Sequence, residues 1–270
     1  MGEEPWLWRK FPFKFTNVRK FQQFLEINRF SALESLKIRE GFYTNEENVE
    51  IFKTIRQKQS IKNLEMKLFV NMDCDTHDVV DTLAGLESVT LWTYANANEL
   101  METLFNKMLG KIKLKTMCIN FPNLQHIKPE VVAQSVNNLE NFQLTSARMS
   151  TQQLDKIFEV MNKQTRLRRL SLDVDIEDIG IKLFTADYKT FAHSVNKLQE
   201  FSIAGHFLVE YITHEHVNAM LNQCLVQTNL RILKIPNLDL SLVDPTVLAR
   251  CVNKMEKVHL SNNNLGKQHL

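Results

Sequence analysis

Apolar residues recur along the chain in one short pattern, apolar-x-x-apolar-x-apolar, where x is any residue. Successive copies begin 28, 25, 28, 25, 28, 31, 32 and 25 residues apart, a ladder too regular for chance. Because strand side chains alternate between two faces, the end of each copy predicts a short strand with one face on a core. The nine copies are Leu33/Leu36/Ile38, Ile61/Leu64/Met66, Leu86/Val89/Leu91, Leu114/Met117/Ile119, Leu139/Phe142/Leu144, Leu167/Leu170/Leu172, Leu198/Phe201/Ile203, Leu230/Leu233/Ile235 and Met255/Val258/Leu260.

The segments between these copies show the 3.6-residue period of amphipathic helices. In one segment, the residues predicted to share a buried face are Leu154, Ile157, Phe158 and Met161. Helix starts are marked as well. Ser150 and Gln153 have the spacing of a capping box, and Asp244 is an N-cap candidate followed by a proline. The pattern therefore predicts alternating strands and helices.

The intervening segments fall into two alternating classes. The short class ends in a Val-Asn step, as in PEVVAQSVNNLENFQL, YKTFAHSVNKLQEFSI and PTVLARCVNKMEKVHL. The long class includes NELMETLFNKMLGKIKLKTMCI, QQLDKIFEVMNKQTRLRRLSL and EHVNAMLNQCLVQTNLRILKI. This alternation predicts that the repeating unit is a pair of strand-helix repeats, since no single repeat can bury its leucines alone.

The N-terminal residues continue the pattern at the sheet edge. Phe11, Phe13 and Phe15 alternate and predict one more strand. Helical spacing follows at Val18, Phe21, Phe24 and Leu25. We interpret residues 1–30 as a hydrophobic cap that closes the first core layer.

The repeat resembles a known family. The stretch MEKVHLSNNNL, residues 255–265, carries the leucine-rich-repeat spacing, with Asn263 after the strand. Helix-bearing units in two alternating classes are similar to leucine-rich repeats of ribonuclease-inhibitor type. Over residues 30–265, the resemblance implies an α/β leucine-rich-repeat solenoid (horseshoe) of about nine to ten repeats. It also implies parallel strands on the concave face and helices on the convex face. Most copies lack the asparagine after the strand, which predicts less regular loops.

A second resemblance concerns the N-terminus. The segment EEPWLWRKF looks like the closing segment of an F-box, through Glu4, Pro5, Trp6, Trp8 and Arg9. The helices of the F-box itself are not present. The resemblance implies the substrate-recognition region of an F-box adaptor in a Skp-cullin-F-box ubiquitin ligase, which binds a Skp adaptor only if an F-box precedes Met1.

The alternative is a free-standing leucine-rich-repeat binding protein, such as an inhibitor, sensor or scaffold, with no link to ubiquitin. In either case the expected domains are a cap at residues 1–30 and a solenoid at residues 31–270. Under the first hypothesis the cap is the remnant of an F-box junction, and under the alternative it is only a cap. Because no polar closing cap is visible after Leu265, we expect the solenoid to be truncated at its C-terminus.

Solenoids of this type bind proteins on the concave sheet face. Trp92 stands out there as a favoured hot-spot residue, although it could instead pack against a neighbouring repeat or Tyr94. Lys37, Arg39 and Lys67 suit an acidic partner or simply a solvated edge. The strand register predicts two columns of residues on this face. One contains Lys37, Glu65, Thr90, Cys118, Gln143, Ser171, Ser202, Lys234 and His259, and the next contains Arg39, Lys67, Trp92, Asn120, Thr145, Asp173, Ala204, Pro236 and Ser261. The candidate protein-binding residues are Trp92, Lys37, Arg39, Glu65, Lys67, Thr90, Asn120, Gln143, Thr145 and Asp173.

Composition offers little support for catalysis or for ligands other than protein. The 270 residues carry a net charge of +2, so charge does not favour nucleic acid. Four scattered cysteines and 7 glycines favour neither a metal site, nor a disulfide framework, nor a phosphate-binding loop. We therefore expect no enzyme, no cofactor and no metal. No signal peptide or long apolar run appears, so we expect no membrane association and a cytoplasmic or nuclear location.

Three features that carry reactive groups have simpler structural interpretations. His214 and His216 point to different faces of a helix start, which predicts surface or capping histidines. The acidic residues Asp73, Asp75 and Asp78 lack the calcium-loop pattern and fit a helix N-terminus. Cys118 is predicted to face the concave side as an inert thiol.

Overall fold

A computed structural model describes residues 12–13, 22–23, 26, 33–38, 45–68, 76–93, 97–110, 112–176, 187–205, 212–236 and 240–261. The chain divides into two compact units, Met1–Pro122 and Asn123–Leu270.

The first unit alternates strands with helices. Its strands are β1 (Pro12–Phe13), β2 (Ser35–Ile38), β3 (Asn63–Leu68), β4 (Ser88–Thr93) and β5 (Thr116–Asn120). Its described helices are α1 (Asn45–Gln57), α2 (Thr76–Gly85) and α3 (Asn98–Lys107). Each strand pairs in parallel with the next strand along the chain. The helices make the crossover connections that parallel neighbours require.

The second unit repeats this arrangement. Its strands are β6 (Asn141–Met149), β7 (Arg169–Ile176), β8 (Glu200–Ala204), β9 (Ile232–Lys234) and β10 (Lys257–His259). Its described helices are α4 (Pro129–Asn137), α5 (Thr151–Lys163), α6 (Tyr188–Asn196), α7 (His214–Val226) and α8 (Pro245–Val252). The strands again pair in parallel and in sequence order. Both units thus have the arrangement of an α/β leucine-rich-repeat solenoid, and the predicted fold class is confirmed.

The core is built from the apolar positions of the repeated pattern. In the first eight copies, every one of these side chains is at most 5% exposed. In the last copy, Met255, Val258 and Leu260 are half-buried. Among the described residues β10 pairs only with β9, so this layer is covered from one side. The core therefore depends on stacking between repeats.

Helix α5 shows how local sequence fixes an element. Its four predicted core residues are completely buried. The Ser150 hydroxyl accepts from the Gln153 amide, and the Gln153 side chain accepts from the Ser150 amide, so the predicted capping box is confirmed. Gln153 Nε2 also donates to the carbonyl oxygens of Leu124 and Ile127 at 2.6 and 2.7 Å. The predicted Asp244 N-cap is likewise confirmed, since its carboxylate accepts from the amides of two following residues.

In the second unit the two predicted classes of repeat differ in helix length. Helices α5 and α7 have 13 residues, whereas α4, α6 and α8 have 9, 9 and 8. In the first unit α1 has 13 residues, but α2 and α3 both have 10, so length does not separate the classes there. The asparagine of the Val-Asn step ends α4 and α6. Asn137 and Asn196 each donate to the carbonyl four residues earlier at 2.8 Å, and Asn196 also donates to the Met220 carbonyl on α7 at 3.0 Å.

Short helices are also hydrogen-bonded to the long helices that precede them. The bonded atoms are Thr82 Oγ1 and Phe52 O at 3.4 Å, Ser194 Oγ and Phe158 O at 2.7 Å, and Cys251 Sγ and Leu221 O at 2.9 Å. In sequence, each donor lies four residues before the first apolar position of its own copy of the pattern. Each acceptor lies nine residues before the first apolar position of the preceding copy. A side-chain donor at one fixed position therefore links the two helices of a pair.

The predicted N-terminal strand is confirmed at Pro12–Phe13, which pairs with β2. Other predictions for the cap lie outside the described residues. They concern Phe11, Phe15, Val18, Phe21, Phe24, Leu25 and the segment that resembles an F-box junction.

Candidate binding face

The first unit presents two columns of side chains on the sheet surface that faces away from the core. Strand pairing aligns Lys37, Glu65, Thr90 and Cys118 in one column. It aligns Lys67, Trp92 and Asn120 in the second. These positions alternate along each strand with buried ones, as the period of two predicts. The register derived from the sequence is therefore correct in this unit.

The predicted basic group at this face is smaller than expected. The Lys37 ammonium forms an ion pair with the Glu65 carboxylate, and both side chains are about one-third exposed. Arg39 lies outside the described residues. Lys67 is half-buried and has no ion-pair partner among the described residues. Of the three predicted cations, the described structure therefore leaves one unneutralised.

Trp92 lies on β4, between Lys67 of β3 and Asn120 of β5. Its side chain is half-buried, so part of the indole remains open to solvent. Tyr94, its alternative packing partner, lies outside the described residues. Trp92 is the largest side chain in these two columns, and its open surface is what a partner could bury.

Asn120 corrects one prediction. The sequence pattern placed it on the accessible surface, but it is only 9% exposed. Its side-chain Nδ2 donates to the Leu91 carbonyl oxygen at 3.1 Å, and its backbone carbonyl accepts from the Thr93 hydroxyl at 3.0 Å. The side chain is thus turned back onto the neighbouring strand and serves the sheet rather than the surface.

The neighbouring thiol lies where it was predicted. Cys118 is half-buried on the sheet surface. Burial raises its pKa, despite an opposing hydrogen bond from Asn120. This keeps the thiol protonated at neutral pH, as expected for an unreactive cysteine.

In the second unit one column follows the predicted register. It consists of Gln143, Ser171, Ser202, Lys234 and His259. Gln143 is exposed, and the Lys234 ammonium pairs with the Glu200 carboxylate at 2.6 Å. This surface is polar and, along the column, free of large apolar groups.

The second predicted column is interrupted in this unit. A bulge in β6 shifts the register between Leu144 and Ala147. Ser146 adopts a left-handed conformation with φ of 50°, and its amide donates to the Asp173 carboxylate at 3.2 Å. The expected one-to-one pairing of Thr145 with Asp173 was therefore wrong, because two residues of β6 face one residue of β7.

Two features with ionisable groups are now explained. His214 is exposed as predicted, but His216 is only 7% exposed. The His216 Nδ1 lies 2.8 Å from the hydroxyl of Thr213, the N-cap residue of α7, and its ring meets Phe191 edge-on. Of the two predicted alternatives, surface or capping, the surface one is therefore wrong for His216. Asp78 lies in the first turn of α2, as predicted, and pairs with Arg56 at 3.3 Å. Asp73 and Asp75 lie outside the described residues.

One pair of reactive side chains was not predicted from the sequence. Cys224 on α7 and Cys251 on α8 are both buried free thiols that lie side by side. Once Cys224 is ionised it accepts the S–H of Cys251, which in the neutral pair is donated to the Leu221 carbonyl, and this lowers the pKa of Cys224 to about 7; burial opposes this, and the Thr228 hydroxyl and the charge of Lys254 assist it. The same hydrogen bond, followed by burial, raises the pKa of Cys251. The 27-residue separation conceals this contact, which only helix stacking creates.

Within the described ranges, no cluster of three or more His, Cys, Asp or Glu side chains is arranged to hold a metal ion. None of the helices described there is long and apolar enough to cross a bilayer. Comparison with known proteins found no family model and no curated protein that matches this chain.

Proposed function

We propose that this chain is a non-enzymatic protein-interaction module that holds a protein partner on the outward surface of its parallel strands. The observation that carries the proposal is Trp92, half-buried on β4 with part of its surface exposed and a neighbouring strand on each side. Tryptophan is enriched among residues that dominate binding energy, because one side chain buries a large area on contact.

The surroundings of Trp92 suit recognition of a protein. Parallel strands hold neighbouring side chains at about 4.8 Å, which makes the surface preorganised. Lys67 supplies a positive charge without an ion-pair partner among the described residues, while Thr90 adds a small polar group. A rigid aromatic anchor within a polar surround fits the anatomy of protein interfaces.

The experiment uses the full chain immobilised as bait in an extract of its source cells, with captured proteins identified by mass spectrometry. Trp92→Ala should lose the specific partner. Leu109→Ala is the matched control, because Leu109 is a large side chain that is 41% exposed and lies in the turn after α3, outside the strands. Equal capture by wild type and a correctly folded Trp92→Ala protein would reject the strand surface as the binding site.

A narrower form of this proposal places the module in a ubiquitin ligase, where it would select the substrate and a Skp adaptor would bind upstream. It is supported only by the resemblance of residues 3–11 to an F-box junction. Mapping the 5′ end of the transcript tests it. An in-frame F-box upstream of Met1, followed by binding to a purified Skp adaptor, would support the proposal. A stop codon directly upstream would leave the free-standing inhibitor, sensor or scaffold.

A further inference from the structure

Charges alternate along the edge where helices end and strands begin. In the first unit, the residues at the corresponding position before β2, β3, β4 and β5 are Glu34, Lys62, Glu87 and Lys115. The backbone amides of the last three each donate to the carbonyl of the residue at the same position in the preceding repeat, at 2.8 to 2.9 Å. Their side chains form the ion pairs Glu34–Lys62 and Glu87–Lys115, both at 3.6 Å.

The same position in the second unit breaks the alternation once. Here the residues are Glu140, Arg168, Gln199, Arg231 and Glu256, joined by the same backbone hydrogen bonds at 2.7 to 2.9 Å. Arg231 pairs with Glu256 at 3.2 Å. Gln199 stands where the alternation calls for a carboxylate. Arg168 forms no ion pair among the described residues, although Glu140 precedes it in the row and Gln199 follows it.

A cleft of about 1110 Å³ opens at this break. The cations that line it are Arg166, Arg168, Lys197, Arg231 and Lys254, and the carboxylates are Glu140 and Glu256. Five positive and two negative groups give the lining a net charge of +3. The whole chain carries only +2, so this cleft is a local concentration of positive charge.

The two lysines are already occupied. Lys197 Nζ donates to the Asn162 carbonyl at the end of α5 at 2.7 Å, and Lys254 Nζ donates to the Leu225 carbonyl of α7 at 2.6 Å. They offset the negative ends of these helix dipoles. Arg166 and Arg168 are exposed and lack ion pairs within the described part of the chain, so they are the groups available to a ligand.

We propose that this cleft binds an acidic peptide segment of a partner protein, with its carboxylates on Arg166 and Arg168 and its backbone over Gln199. The positive charges are spread in a row across successive strands rather than converging on one point, and Arg168 and Arg231 lie two strands, or about 10 Å, apart. An extended peptide places alternate side chains about 7 Å apart and can follow such a row.

A compact phosphate fits the cleft less well. The helix ends that face it are C-termini, which do not offer the free backbone amides with which a helix N-terminus binds a phosphate. Gln199 and Thr228 line the space between the arginines with polar, uncharged groups suited to a peptide backbone. Distributed carboxylates of a peptide therefore match the lining better than one dianion.

The test measures fluorescence anisotropy of a labelled oligoglutamate peptide with the full chain, using an oligoglutamine peptide for comparison. Arg166→Gln/Arg168→Gln and, separately, Gln199→Glu should each weaken binding by at least about tenfold, since they remove the donors or fill the break with a competing carboxylate. Lys128→Gln is the matched control for Gln199→Glu, because each lowers the net charge by one and Lys128 is an exposed residue at a helix N-terminus. It should leave binding unchanged, and so should Trp92→Ala.

Three results would overturn the proposal. One is equal binding of oligoglutamate and oligoglutamine. Another is equal loss of affinity in Lys128→Gln, which would show a diffuse charge effect. The third is displacement of the peptide by inorganic phosphate or a short oligonucleotide at lower concentration than unlabelled oligoglutamate, which would assign the cleft to phosphate groups. Retained peptide binding in Trp92→Ala keeps this result separate from the test of the strand surface.

Discussion

The Ser194 hydroxyl donates a 2.7 Å hydrogen bond to the carbonyl oxygen of Phe158, which joins α6 to α5 across 36 residues of sequence. Both groups are buried, and Phe158 and Phe191 pack edge-on beside them, with ring centroids 5.0 Å apart. A buried hydroxyl in this position holds one helix at a fixed height against the next.

Replacing Ser194 with alanine should lower the free energy of unfolding by about 1 kcal/mol, because a buried hydrogen bond is lost while little volume changes. Urea denaturation followed by circular dichroism measures this. Ser202→Ala on the outward sheet surface is the control, and we expect it to change stability by less than about 0.5 kcal/mol. Equal effects of the two substitutions would show that the helix contact contributes nothing specific.

Gln153 should be among the most sensitive polar positions. Its completely buried amide donates to two loop carbonyls and also completes the capping box. Gln153→Ala leaves those carbonyls without this donor, and we expect a loss of about 2 to 4 kcal/mol. The neighbouring exposed Gln152 provides the control, since Gln152→Ala should be nearly neutral. A loss below about 1 kcal/mol at Gln153 would contradict its role as the connector of this loop.

The two helix-capping lysines should contribute modestly and separately. Lys197→Met and Lys254→Met each remove an ammonium from helix-end carbonyls, so each should cost about 0.5 to 1 kcal/mol. Because the lysines serve different helices, the double variant should show the sum of the two losses. Thermal and urea unfolding measure both. The exposed Lys257→Met variant provides the control; an effect of similar size there would attribute the loss to net charge instead.

The paired thiols predict a pH dependence. The hydrogen bond from Cys251 lowers the pKa of Cys224 from its ordinary 9.0 to about 7. A group whose folded pKa is depressed adds stability above its unfolded pKa and loses it as pH falls through the folded pKa. Wild type should therefore gain up to about 2 kcal/mol relative to Cys224→Ser between about pH 7 and 9.

Cys251→Ala tests the cause of this dependence. Without the donor, the pKa of Cys224 should rise and most of the relative gain between pH 7 and 9 should disappear. Thiolate absorbance near 240 nm follows the ionisation directly. An unchanged Cys224 titration in Cys251→Ala would assign the lowered pKa to Lys254 and Thr228 instead.

Local patterns determined how much of the fold could be predicted. The period of two at Leu170 and Leu172 identifies a strand with one buried face, because any other register would expose both residues. The Ser150–Gln153 capping box lies within one helical turn and needs no tertiary information. The period-two pattern recurs in every repeat, which is why the architecture followed from the sequence.

Features that depend on contacts between repeats could not be predicted in the same way. Asn120 looks like a surface residue by alternation, but its amide finds a carbonyl on the neighbouring strand. The bulge in β6 depends on a left-handed backbone conformation at Ser146. Glycine is the residue that usually signals such a conformation, and this position is a serine. His216 and the Cys224–Cys251 contact arise from helix stacking. For the candidate site, this meant that the columns were predicted but the accessibility of their members was not.

The hydrogen bonds from short helices to the preceding long helices have a consequence for gene duplication and protein engineering. A recombination crossover in the gene between the codons for Phe158 and Ser194 would separate a buried hydroxyl from its acceptor. The donor would then have to fit a helix from another repeat. A crossover placed after the strand of a short repeat would carry donor and acceptor together. The smallest cassette that can be copied, deleted or grafted without a new mismatch is therefore two repeats long, and arrays of this sequence type should grow and shrink in even steps.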